Sequence, residues 1–402
     1  MNWKYAIYLG LGLLTSIHVF RLYQQMNINS QDMPIDARNL YLLVHTADKH
    51  DNFYLDKNFK RTWYEIAGKE NFESNSPPGL PYSSILYPPQ ALTEFYFLKY
   101  IPWKNYRWIN YGYNFLLILI IAFLVYQLSN KNLNALSILF PLIAFKGTWQ
   151  AFFVGQPMFL CLTFILMAYY LWREKKHSSI AGVLLGLAAF KFTLVIPFGL
   201  FFLYKRDWKL IGTSVITVLL LLAPVVFQYD LGELLSAYGA NAKEQIYQIY
   251  TDGGNNLLFQ TTELASLLFS GGIISANSVS IFNGILLISG IVILIFNPKR
   301  YDDESTLLLI ILWTFLFMYH LSYDGLVILA FLVILKFKSS SDFLKYLPFI
   351  MVFFLPINGI MRRLNLSWEI FYLHMPIAIF ALLCYELFFK ANQLQKQSII
   401  QN

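Results

Sequence analysis

The sequence predicts an all-α polytopic membrane protein, on three observations. Hydrophobic residues make up 57% and aromatic residues 18% of 402 positions, against 13% charged, with a mean hydropathy of +0.50. A soluble chain of this length could not bury that much apolar surface. The apolar residues gather in charge-free runs such as 5–20, 115–126, 211–227 and 281–296, which suit a hydrocarbon core of about 30 Å. These runs lack the two-residue alternation of barrel strands, so helices follow. Finally, the basic residues fall in short clusters between apolar runs: Arg173 with Lys175 and Lys176, Lys205-Arg206 with Lys209, Lys299-Arg300, Lys336 with Lys338, and Lys390 with Lys396. A net charge of +7 distributed in this way is the positive-inside pattern and excludes a nucleic-acid patch.

Threading starts with Lys4 inside and a retained first span over 5–23. Further segments fit 109–128, 133–149, 157–172, 179–190, 192–204, 211–227, 278–296, 306–320, 323–336, 346–357 and 367–389, about twelve in all, with both termini inside. Every cluster named above falls on one side; Arg362-Arg363 falls on the other. The segments 179–190, 192–204 and 346–357 are too short to cross upright, and read as half-spans or as helices buried against neighbours. Cys161 and Cys384 both lie in apolar runs, where a thiol acts as a small hydrophobe, and they form no disulfide or metal framework.

Two polar excursions reach the side opposite the basic clusters, at 24–107 and 228–276. The first contains Asp32, Asp36, Asp48, Asp51 and Asp56, with helix-compatible patches separated by Pro34, Ser76-Pro-Pro-Gly79 and Pro81. It is expected to form amphipathic helices lying on the membrane surface, one of them around 59–72. Such an acidic loop points to chemistry at the membrane face; a permeation path would place its polar groups inside the spans. The second holds Asn255-Asn256 and a helix-like run to Phe269.

Five places could carry chemistry. Pro34 can start a helix with Asp36 in its first turn, where a carboxylate is favoured whether or not it is a base. Asp48 and Asp51 read as a solvated face. Tyr87-Pro88-Pro89 sets the entry of a helix over 90–100. Gly155-Gln156 opens an apolar helix whose first N–H groups could receive an anion or a hydroxyl, or simply be capped. Lys191 follows Gly182 and Gly186, whose small-xxx-small spacing permits close helix contact; at the outer end of a hairpin it would either snorkel or meet a phosphate. The fifth is Tyr319-His320-Leu-Ser-Tyr-Asp324, a polar turn on the same side. Walker, CxxC, HExxH and GxSxG motifs are absent from the sequence, which removes the common ATPase, metalloprotease and serine-hydrolase readings.

In order, Asp36 with Tyr41, Tyr87-Pro88-Pro89, Gly155-Gln156, Gly182 and Gly186 leading to Lys191, Asn255-Asn256, and Tyr319 to Asp324 resemble glycosyltransferase family 87. The resemblance covers roughly 30–335 and is concentrated between Gly155 and Trp208. Met158 stands where the family often has Asn, and Phe192 where it has Pro. The resemblance implies one integral-membrane GT-C-type domain over 1–402, with a polyprenyl-phosphate sugar as donor and a lipid or glycan as acceptor. Mannose is the sugar it points to. Asp36 would be the general base, while Lys191, Gln156, His320, Asp324, Tyr41 and Tyr87 would bind donor phosphate or substrate; no metal or other cofactor is called for. Asp32 and Asp48 remain alternatives as the base. The implied location is the bacterial plasma membrane, among its lipids, with the active site on the non-cytoplasmic face. A transporter or lipid-linked-sugar flippase is the competing class, although the sequence shows no inverted repeat of the transporter kind.

Overall fold

The structure, a computed structural model, describes residues 35–67, 87–129, 142–251, 261–270, 272–296, 302–337 and 374–401, with a few isolated positions elsewhere. The expected spans 5–23 and 346–357 lie outside the described residues apart from single positions, as do Asn255, Asn256, Asp32, Lys299, Arg300, Arg362 and Arg363. Among the described residues there is no strand, only one isolated bridge between Thr261 and Leu321.

Among the described residues the first excursion contains α1 (Ile35–Ala47), α2 (Asp56–Ala67) and α3 (Ala91–Phe95), the last followed by a 3-10 turn, Tyr96–Tyr100. As the sequence predicts, α1 carries Asp36 in its first turn, and the amphipathic patch forms α2, beginning three residues earlier than expected. The Pro88 and Pro89 carbonyls accept the first N–H groups of α3, from Ala91 at 2.9 Å and Leu92 at 3.1 Å, so the proline pair does set that helix's entry.

The bundle follows with α4 (Trp103–Leu128), α5 (Lys146–Val154), α6 (Met158–Arg173), α7 (Ser178–Leu187), α8 (Phe192–Tyr204) and α9 (Trp208–Gln228). Here α5 begins inside the expected segment 133–149, because Phe145 is extended (φ −63°, ψ 122°) and interrupts any helix through it. Among the described residues, three helical stretches are long and apolar enough to cross a membrane: Trp103–Leu128, Ser178–Tyr204 and Trp208–Gln228. The middle one folds back on itself. A straight helix of 27 residues would hold its ends about 40 Å apart. Yet Ser178 Oγ donates to Asp207 Oδ2 at 2.8 Å, only three residues past Tyr204. The reversal occurs at a 3-10 turn, Ala188–Lys191, where Lys191 leaves helical geometry (φ −121°, ψ 66°). Helices α7 and α8 are therefore the limbs of a hairpin with Lys191 at its tip, which is why each reads as too short to cross.

Close packing holds that hairpin. A methyl group on Gly182 would meet Thr213 Oγ1 and the Leu210 carbonyl, and one on Gly186 would meet Thr217 and the Ser214 carbonyl. The two glycines thus let α7 lie directly against α9, as small-xxx-small spacing permits.

The chain continues through α10 (Leu231–Thr251), α11 (Leu264–Ser270), α12 (Ala276–Phe296), α13 (Asp303–Phe317), α14 (Gly325–Lys336) and α15 (His374–Gln401). Helix α14 is buried along its whole length and α13 nearly so; they form the centre of a core that extends from Ala37 to Leu383.

The bundle has two chemically distinct ends. At one, Arg173 donates to the Leu128 carbonyl at 2.6 Å, Lys205 pairs with Asp303 at 2.6 Å, and Asp207 receives Trp172 and Ser178. Lys336 belongs to this end but is spent inside it, paired with buried Glu386 at 2.8 Å. The other end carries the first excursion, the hairpin tip and the turn between α13 and α14.

Candidate active site

Four elements meet at that second end. The helix α5 finishes at Gly155, which takes the left-handed conformation (φ 67°) that glycine adopts without strain. The next N–H, that of Gln156, reaches back to the Ala151 carbonyl at 2.9 Å, a helix-closing bond. This corrects one expectation: Gln156 caps the end of α5 with its backbone, so that N–H is not offered to an anion. What the turn delivers is the Gln156 side chain, buried between α1, the hairpin tip and the 3-10 turn Ser322–Asp324.

That side chain is a hub. Its Nε2 donates to Asp36 Oδ2 at 2.5 Å and to Tyr323 Oη at 2.7 Å, while its Oε1 accepts from Lys191 Nζ at 3.3 Å. Lys191 also pairs with Asp324 Oδ1 at 2.6 Å and lies 4.8 Å from the centre of the Tyr323 ring. Its side chain is 14% exposed, so the snorkelling alternative does not apply. Asp324 accepts the Leu321 N–H at 3.3 Å. His320 is fully buried, stacked on Phe315 with ring centres 4.0 Å apart, and its Nδ1 stands 3.6 Å from Asp324 Oδ2.

The electrostatics follow from this crowding. Burial pushes the Asp36 carboxyl up to about 6, opposed by the Gln156 hydrogen bond and the Lys191 charge, with Asp324 raising it and Arg38 lowering it. Burial also acts to raise Asp324, but Lys191 and His320 outweigh it and hold that carboxyl below the usual range. His320 is pushed down by burial, with Asp324 opposing the shift and the Lys191 charge adding to it. The site therefore contains one firmly ionised acid, neutralised by Lys191, and one acid poised near neutrality. Among the described residues no three His, Cys, Asp or Glu side chains converge to hold a metal ion.

Not every expected residue joins this cluster. Tyr87 does: it is half-buried, and Asp36, Tyr106 and Asp324 add to desolvation in raising its phenol well above the ordinary value. Tyr41 does not. Five residues of helix turn it about 140° away from Asp36, and its hydroxyl is given to the Ile101 carbonyl at 2.9 Å within an aromatic stack of His45, Trp103 and Tyr106. Asp48 pairs with Lys99 at 2.5 Å on the surface. Tyr323 is the residue that sequence reasoning passed over, although it sits beside Asp324 in the same motif. The second excursion is stitched to this turn by Thr262 N–H on the His320 carbonyl at 3.0 Å, which brings Glu263 close enough to raise Tyr319 further.

A helical membrane protein with a carboxylate of raised affinity for protons, set beside a buried cation at one end of its bundle, has the makings of a group-transfer enzyme. The model of glycosyltransferase family 87 matches residues 85–335, more than half of the chain, and the chain belongs to that family. It is thus an integral-membrane glycosyltransferase. No curated protein and no solved structure gives a significant match.

Proposed function

We propose that the enzyme transfers a hexose, mannose by preference, from a polyprenyl-phosphate sugar to a lipid or glycan acceptor, on the membrane face opposite the basic clusters. That face is the non-cytoplasmic one if the positive-inside rule holds, as in a bacterial plasma membrane. The observation that carries the reading is the Asp36–Gln156–Lys191–Asp324 arrangement: a near-neutral carboxylate and a cation bridged by one amide.

In this reading Asp36 takes the proton of an acceptor hydroxyl as that oxygen bonds to the anomeric carbon. The bond from that carbon to the phosphate oxygen breaks, and polyprenyl phosphate leaves with the electron pair. Its growing negative charge is met by Lys191, already oriented by Asp324. Attack from the side opposite the leaving group inverts the anomeric centre. His320 and Tyr87 line the site as donor or acceptor contacts. The test is transfer by purified protein in nanodiscs, given labelled polyprenyl-phosphate-mannose and a membrane-lipid extract. An inverted mannosyl product supports the proposal; a panel of lipid-phosphate sugars that yields none, or a product of retained configuration, refutes it.

A further inference from the structure

The Gln156 amide has only one way to sit. Lys191 Nζ has hydrogens and no lone pair, so the group facing it at 3.3 Å has to be Oε1. Nε2 is then forced toward Asp36 Oδ2 and Tyr323 Oη, and its two hydrogens are both used. Flipping the amide would set Nε2 against an ammonium and Oε1 against a carboxylate, two repulsive contacts in place of two attractive ones. Because Nε2 can only donate, Asp36 Oδ2 can only accept, and a proton arriving at Asp36 is directed to Oδ1.

We infer that Gln156 is the positioning residue of the base: it holds Asp36 by Oδ2, leaves Oδ1 as the oxygen that takes the proton, and couples its proton affinity to Lys191 through the locked amide. The inference rests on the reading of Asp36 as the base. Groups that face Asp36 are Lys191 from the hairpin, Asp324, Tyr323 and Tyr319 from the turn after α13, Tyr87 from the segment leading into α3, and Arg38 from its own helix. Of these only Gln156's neighbours, Lys191 and Tyr323, touch the amide that touches the carboxylate.

Gln156→Glu preserves the shape, replaces the obligate donor with a second carboxyl and turns the contact into a coupled acid pair that retains its first proton to higher pH. The experiment is the pH profile of kcat/KM for sugar transfer from the lipid-phosphate donor, between pH 5 and 9.5, by the full chain in nanodiscs. The wild-type rate should change less than about twofold between pH 6.5 and 9, whereas Gln156→Glu should lose about tenfold over that interval and recover toward its plateau at high pH. A second variant, Tyr323→Phe, releases one hydrogen of the amide and should move the acid limb the same way by a smaller amount. A loss of any size that is independent of pH, with the limb unmoved in both variants, would overturn the inference and leave Gln156 as a packing or substrate contact. Asp36→Asn in parallel separates the two claims: if it stays active the base assignment itself falls, whereas an inactive Asp36→Asn with an unmoved Gln156→Glu limb sinks only the role of Gln156.

Discussion

Lys191→Met, Asp324→Asn and the double variant test whether the ion pair is the structural anchor of the site. At 2.6 Å, with the two side chains 14% and 4% exposed, the gross attraction is on the order of 6 kcal/mol at an effective dielectric of about 20. Much of that is cancelled by dehydrating the two ions. What a single variant exposes is the orphaned charge, at a cost of about 3–5 kcal/mol. Lys191→Met should be the worse of the two, since Asp324 then keeps only His320 and one backbone N–H. Asp324→Asn should be milder, because Lys191 retains Gln156 Oε1 and the Tyr323 ring. The double variant leaves no orphaned charge and should be more stable than Lys191→Met alone, giving a coupling of about 2 kcal/mol or more. Reversible unfolding by sodium dodecyl sulfate in mixed micelles reads all four proteins on one scale. Single effects that add to within about 0.5 kcal/mol would show that the pair does not act as a unit.

Further expectations follow from the same geometry. Because the Asp36 carboxyl is raised from 3.8 to about 6, it is protonated below that value, so kcat/KM should fall as pH drops through about 6; Asp324→Asn should move this limb down and Lys191→Met should move it up, since the one charge raises Asp36 and the other lowers it. The stability sign is opposite: the neutral form of Asp36 is favoured by folding, a contribution fully present below pH 3.8 and lost as pH rises through about 6, so Asp36→Asn should be no less stable than wild type at pH 7 by thermal unfolding. Gly182→Ala drives a methyl into Thr213 and the Leu210 carbonyl and should cost about 1–3 kcal/mol, seen as a lowered Tm. Tyr41→Phe removes only the hydrogen bond to Ile101 and should cost about 1 kcal/mol of stability while leaving the transfer rate within roughly twofold of wild type.

The helices whose limits are set by local chemistry were legible in the sequence. Asp36 falls in the first turn of α1 as Pro34 implies, the proline pair after Tyr87 starts α3, and the glycines at 182 and 186 mark the α7–α9 contact. The brevity of segments 179–190 and 192–204 also signalled the hairpin that lifts Lys191 into the site. Less was legible where burial is uniform: α13 and α14 are apolar on nearly every face, so periodicity carries no information about which side meets which neighbour. The meeting of Gln156 with Asp36 and Tyr323, at separations of 120 and 167 residues, belongs to tertiary packing alone. The backbone of Gln156 was misread for a local reason: Gly-Gln before Pro-Met looks like a helix start, whereas a left-handed glycine closes the preceding helix.

The most direct test of the account is the rate of sugar transfer from a polyprenyl-phosphate donor by Asp36→Asn in nanodiscs, beside wild type at pH 8 and matched for thermal stability. The account predicts a folded variant slowed by about 10²- to 10⁴-fold. Transfer at the wild-type rate by that variant would contradict it.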